Sequence, residues 1–549
     1  MGKTSFTPQQ RSAQNVQMPA PFRGINTLDP LQSMDPSYGL SIQNFVATNQ
    51  GLAVRPGYRK WATGLPGTVT SLLTYHGRFN GASKLFACSG SGIYDVTSGG
   101  VVGAPVVSGL SSVNNYWQSV VQTYTQASAS ILVAVNGADV PRVYDGSTWK
   151  TCTQVTTPAG VGQFALTDAN SNPVSISNFV DVVLHQQRLW FVANNTTVGY
   201  YCDIGQVGGV LHPLDFGPFF PSGGKLQKLA TWTMDSGGSS GTQAMLVGVS
   251  DKGDVVVFQG TNPSTATDWT MIGQYKIGSP VGRRCTTQYA GDLLILTQDG
   301  LNPMSKYLQS ARVESSAALT YKISPTISNL VASLSRTPGF EASVYPGANV
   351  MLLNVPQSLQ SNNFQFCFNT ITQGWTQFTG WPAQCFGLFN DAYYFGGTDF
   401  VALAFIGYQD GADINGAGGN NVVATAMTAF SSMDAAFGSG VVKHVKQVKP
   451  FLVTGSSSPN VYVGVNTDFD LTPIIGSATV NPATGAVWDT ATWDDQNSTW
   501  VGNLTTVNRW TGVSTFPGTY VAVTVSVSAT TDTLWSATDL LVAPGGPFA

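Results

Sequence analysis

Ile131–Lys150, ILVAVNGADVPRVYDGSTWK, consists of strand-length runs cut by hairpin turns. The apolar run from Ser130 to Val135 stops at Asn136-Gly137, a dipeptide that accepts the positive φ angles a tight hairpin needs. A second run stops at Asp145-Gly146, and Trp149 opens a third. The same grammar recurs along the chain. Leu189–Ala193, Asp254–Gln259, Asp292–Thr297 and Tyr393–Gly396 are strand-like, and Asn80-Gly81, Asp299-Gly300 and Asp410-Gly411 supply further turns. Asp is used 27 times and Glu only twice, at Glu314 and Glu341. Asp caps turns through its own backbone whereas Glu favours helix interiors, so this imbalance also speaks for β structure. The chain reads as all-β and repetitive.

Residues 65–411 predict a β-propeller-like domain of short strands with an aromatic beside a polar turn, the pattern of propeller blades, although the irregular period leaves the blade number open. Trp149 and Trp375, at strand starts, are expected to be largely buried. Residues 1–20, rich in Gln and Ser, read as a flexible arm. Residues 21–64 carry Pro and Gly too closely for a helix or a central strand, and read as an extended platform segment. Residues 412–440 read as a Gly/Asn/Ala-rich crossing segment with a strand at Val422–Phe430, where the Ala content leaves a helix as the alternative, and 441–549 predict a separate β-sandwich-like domain close to 21–64. One helix is expected from Ser324-Pro325, with Ile327, Leu330, Val331 and Leu334 on its packed face.

At 549 residues the chain exceeds one ordinary core, and 42% hydrophobic content is ample to fill several. Charged residues make up only 10%, far below the roughly 25% of ordinary soluble domains, which favours a surface covered by neighbours. The net charge of −4 provides no basic field for gripping nucleic acid. Lys443, Lys446 and Lys449 alternate locally, but their spacing of three does not share one strand face. Cys88, Cys152, Cys202, Cys285, Cys367 and Cys385 lie at least 18 residues apart with no CxxC, so reduced buried thiols are expected. The polar start MGKTSFTPQQRSAQNVQ lacks the apolar core of a signal peptide, and no stretch suits a membrane helix.

Strings that imitate catalytic motifs fail on context. Gly2-Lys3-Thr4 has no strand or glycine loop before it, and Gly237–Gly241 matches GxSxG without a following helix. Asp410, Asp413 and Asn415 before Gly416 have the wrong spacing for a calcium loop. His76, His185, His212 and His444 show no metal-ligand spacing. The carboxylate pairs Asp468/Asp470 and Asp494/Asp495, near Trp488, Trp493, Trp500 and Trp510, suit either a sugar-binding surface or turn caps beside an aromatic core. No catalytic, cofactor-binding or metal residue is therefore assigned, no cofactor is expected, and the expectation is a protein without enzymatic activity.

A set of short motifs in fixed order resembles a phage family. It begins with GINTLDP, Met34-Asp35-Pro36, Gly39, Asn44, Gly51-Leu52 and Arg55-Pro56-Gly57-Tyr58. It continues through Gly92–Thr97, Val135–Asp139, Tyr144-Asp145-Gly146, Arg188–Phe191, Gly223-Gly224, Gly278–Arg284 and Asp299-Gly300-Leu301. It ends with Val442-Lys443-His444, Lys449-Pro450 and Asn466–Asp470. The chain is similar in these to the tail nozzle, or packaged-DNA-stabilisation, proteins of short-tailed phages. The departures lie at 411–440 and at both ends.

The resemblance implies a virion tail protein assembled in the host cytoplasm, a homohexameric ring below the portal and adaptor that continues the DNA channel. It implies genome retention and release, double-stranded DNA passing without sequence-specific binding, fibres or spikes as outer partners, and no membrane insertion. Gly205–Gly224 and Asp410–Asn421 are the glycine-bearing inserts expected to act as a gate. The alternative is a carbohydrate-binding propeller or glycan hydrolase at the host surface; a cellular propeller scaffold is a third reading.

Overall fold

The computed structural model describes residues 13–545 apart from 78–82, 114, 124–129, 156–159, 236–241, 310–314, 360–361, 456–458, 473–475, 479–504, 508, 514 and 529. Its middle is a succession of small antiparallel sheets, each made by consecutive strands. The first contains 69–75, 84–89 and 92–95, and the second 118–123, 130–135, 142–144 and 149–151. The third contains 179–185, 188–193, 198–201 and 212–215, and the fourth 226–235, 242–250, 254–259 and 270–276. The fifth has 286–289, 292–297 and 300–303, the sixth 341–345, 350–355, 364–369 and 375–378, and the seventh 385–389, 392–396 and 400–404. The first strands of successive sheets adjoin in turn, and that of the seventh returns to that of the first. These seven sheets are the blades of a closed propeller-like ring, and the fold is all-β.

The inner blade strands, such as 130–135, 188–193, 254–259 and 350–355, are apolar because both their faces are covered, whereas outer ones such as 270–276 are polar and exposed. In Arg188–Ala193, Leu189 and Phe191 pack against Val133 and Val143 of the second blade. Trp190 and Val192, on the opposite face, pack against Leu246 and Val256 of the fourth. A comparable cluster fills every blade interface, ending with Val69 and Leu85 against Val401 and Cys385 where the ring closes. Asn136-Gly137 forms the expected turn: Asn136 Oδ1 accepts the Ala138 and Asp139 backbone N–H groups, and Gly137 lies at φ +80°. Trp375 is buried, whereas Trp149 is only half-buried, its ring against Phe86 and Tyr144.

The N-terminal segment departs from the sequence reading. Tyr58–Thr63 pairs antiparallel with Phe400–Ala404 as the fourth strand of the seventh blade, and Gln409–Ala412 continues beyond it, so this strand is central. Gly39–Gln43 is central as well, between Trp375–Phe378 and Val423–Thr428. The prolines of 21–64 lie outside both strands, which removes the objection to pairing. Residues 14–19 are an edge strand on 533–544 and no part of a loose arm, because Met18 buries itself on that sheet.

The C-terminal region is a sandwich but not a separate one. One layer joins 45–48, 51–54, 533–544 and 443–454, with 14–19 at its edge. The other joins 39–43, 423–428, 521–528 and 460–467 and is continuous with the sixth blade. Val445, Val448, Leu452, Trp535 and Leu540 of the first layer face Val461, Val463, Val523 and Val525 of the second in one core. The strand foreseen at Val422–Phe430 spans Val423–Thr428. The helix spans Ser324–Leu334 and buries Ile327 and Val331.

Candidate functional site

The first site that the fold assembles is a charged joint between ring and sandwich. Arg55 directly follows the strand Gly51–Val54 and is fully buried. Its Nε donates to Asn44 Oδ1 at 2.9 Å, Nη1 to the Pro56 carbonyl and to Asp410 Oδ1, both at 2.9 Å, and Nη2 to the Thr379 carbonyl and Asp410 Oδ2, both at 2.6 Å. All five guanidinium donors are satisfied, and the plane sits 5.4 Å and 5.1 Å from the Phe378 and Trp381 ring centres. Asn44 Nδ2 donates to Thr379 Oγ1 and the Val423 carbonyl, and Trp381 Nε1 donates to Asp410 Oδ1. Gly57 is required beside this joint because a Cβ there would collide with the Gln409 carbonyl. Asp410-Gly411, read as a turn, is therefore strand, and its carboxylate serves a cation 355 positions away.

The second lies at the ring's axis. Arg284, just before the fifth blade, donates from Nη1 to Glu341 Oε2 at 3.1 Å. Its Nη2 donates to the Thr70 carbonyl, Ser71 Oγ and the Trp117 carbonyl. The first and fifth blades are not neighbours, so this side chain reaches across the axis between them. Burial opposes the Arg284 charge, yet Glu341 beside it holds its pKa above the ordinary arginine value; burial also pushes the Glu341 carboxyl up, against the pull of Arg284. Lys228 Nζ donates to the buried Asp181 at 2.7 Å, and Arg283 Nη1 to the Asn136 carbonyl at 3.0 Å.

The sequence candidates do not converge. Asp410 holds Arg55, while Asp413 Oδ1 accepts the Asn415 and Ala417 N–H groups in a separate turn. Asp468 Oδ1 accepts Thr519 and Tyr520 N–H, and Asp470 accepts Thr472 N–H. Gly2–Thr4, Gly237–Gly241, Asn80-Gly81, Asp494, Asp495, Trp488, Trp493 and Trp500 lie outside the described residues. Lys443 is buried, its Nζ donating to the Val441 and Thr519 carbonyls, and burial lowers its pKa against the pull of Asp434 and Asp468. Lys446 is exposed, and Lys449 lies over Trp510. The six thiols are buried, and burial pushes Cys152, Cys202, Cys285, Cys367 and Cys385 up to about 12. Among the described residues no three His, Cys, Asp or Glu side chains group as metal ligands.

Neither insert singled out as a gate is loose. Gly205–Gly224 contains the fourth strand of the third blade, and it buries Val207, Leu211 and Phe216 between blades. Asp410–Asn421 is tied down by Asp410 and by pairing of 409–410 with 420–421. The sequence reading gave Arg55 and Arg284 no site role; it met them only within the motifs Arg55-Pro56-Gly57-Tyr58 and Gly278–Arg284, and their partners lie too far away in the chain to be read there.

With this geometry, the class is an all-β protein, a propeller-like ring fused to a composite sandwich. No family model matches the chain. No curated protein matches it either. Among solved structures it is similar to BBS1N, crystallised in complex with ARL6DN, at 9% identity and a TM-score of 0.38, covering 64% of this chain and 97% of that one. It is also similar to Raptor of Chaetomium thermophilum, at 12% identity and a TM-score of 0.34, covering 64% of this chain and 30% of that one. No residue role is carried over from either.

Proposed function

We propose that the chain is a structural tail protein of a short-tailed phage, a nozzle subunit that surrounds the DNA path with copies of itself. The observation that carries this reading is the joint. Asn44 and Arg55-Pro56-Gly57-Tyr58, on which the family resemblance partly rests, fasten ring to sandwich through a buried ion pair and a shared sheet. Such a body suits a wall that bears load. Because Arg284 crosses the axis of the single propeller, the conduit in this reading is the lumen between copies. A slightly acidic protein there avoids holding phosphates by charge.

Light scattering and electron microscopy of the purified protein, alone and with portal–adaptor complexes, test the proposal. Rings that dock below the adaptor are expected; a persistent monomer that never joins such complexes sinks it. The host-surface glycan reading is favoured by one observation, the partly exposed Trp510, with the exposed Phe516 six positions further along the chain. Binding on a glycan array that is lost in Trp510→Ala would promote it.

A further inference from the structure

Beside Arg284, which reaches across the axis, the structure leaves a cavity of about 290 Å³, lined by Arg283, Arg284, Arg336, Tyr116, Gly282 and Phe340 among others. Three of the chain's 12 arginines meet here, in a protein whose net charge is −4. Arg336 is exposed on the segment after the helix Ser324–Leu334, and Arg283 is half-buried. Among the described residues neither forms an ion pair. Glu341 answers Arg284 alone, and Asp181, the carboxylate that acts on Arg283, is already held by Lys228. The cavity therefore carries an uncompensated positive charge over a short distance.

We propose that this mouth is a binding site for a phosphate group, carried by a small phosphate ester or by the end of a nucleic-acid strand. Guanidinium forks match the geometry of phosphate oxygens, and charge-assisted bonds of this type are the strong ones. Arg284 is fixed in advance by Glu341, Thr70, Ser71 and Trp117, so little ordering is left for a ligand to impose on it. Gly282, at φ +71° in the left-handed region, shapes the turn that delivers the two consecutive arginines. The volume sits at the lower end of ligand pockets, about 300–1,000 Å³, which suits a phosphate with one attached ring or sugar and excludes a duplex. Tyr116 and Phe340 offer that attached group an apolar wall. The proposal does not rest on the tail reading.

Isothermal titration of the full chain with inorganic phosphate, a sugar phosphate and a 5′-phosphorylated oligonucleotide, with sodium chloride at matched ionic strength as control, tests it. At least one phosphate probe is expected to bind where chloride does not. Arg336→Ala, at an exposed site with no side-chain partner among the described residues, is expected to keep its melting temperature and lose about tenfold in affinity, with Arg336→Lys in between. Arg283→Gln supplies a second, independent loss. Binding of the small probes alone assigns the site to a small ester, and binding of the oligonucleotide alone assigns it to a strand end. No response beyond chloride, or wild-type affinity in both Arg336→Ala and Arg283→Gln, overturns the proposal.

Discussion

Replacing Asp410 by Asn probes the joint between ring and sandwich. Asp410 supplies two of the five acceptors of Arg55 and, among the described residues, the only negative charge bonded to it. The Asn amide keeps one acceptor and turns a donor toward the guanidinium, which leaves a fully buried cation unbalanced. Breaking a buried pair in this way costs about 3–5 kcal/mol. At roughly 2 °C per kcal/mol, the lower end for large domains, the melting temperature should fall by about 6–10 °C. Thermal scans by tryptophan fluorescence measure the shift, and hydrogen exchange should rise first in 409–428. The double variant Arg55→Met/Asp410→Leu removes both charges and fills the slot between Phe378 and Trp381. It should be less destabilised than the sum of its singles by about 2 kcal/mol. A shift within about 1 °C for Asp410→Asn, or strict additivity in the cycle, refutes the coupling.

Three further outcomes are expected. Burial pushes the His185 imidazole down to about 4 from 6.5, so the unfolded chain binds more protons between these values and stability falls as pH drops through that window. The loss is about 3 kcal/mol across the window and should vanish in His185→Gln; urea titrations at about pH 7, above the window, and about pH 4.5, near its lower end, compare the two proteins. Ala62→Pro, in the strand that completes the seventh blade opposite Val401, should raise hydrogen exchange in 400–404 and lower solubility; unchanged exchange there would speak against closure by this strand. The six buried thiols should resist a thiol-reactive dye in the native protein and all react in denaturant; rapid native labelling would contradict their burial.

Much of the local structure was legible in residues. Ser130–Val135, Asp254–Gln259 and Asp292–Thr297 are strands to the residue, because apolar runs followed by a glycine-bearing turn, Asn136-Gly137, Gly260 or Asp299-Gly300, need only their own backbone preferences. The helix at Ser324 was equally local, with proline in its first turn and apolar residues one turn apart. The candidate site was not legible. Arg55 and Asp410 lie 355 positions apart, and Arg284 binds Thr70 across 214, so no window of sequence holds both partners.

All-β character and repetition thus follow from composition and turn chemistry, which act within a few residues. The number of blades, the entry of Tyr58–Thr63 into the seventh blade and the merging of 39–54 with 423–544 into one sandwich belong to the tertiary structure. The physical reason is that a strand buried on both faces shows no alternation to mark its neighbours, and its partner is selected by packing between distant segments. The same holds for the charges. An arginine declares its donors in the sequence, but only the fold decides whether they meet a carboxylate across a joint or face an open cavity on the axis.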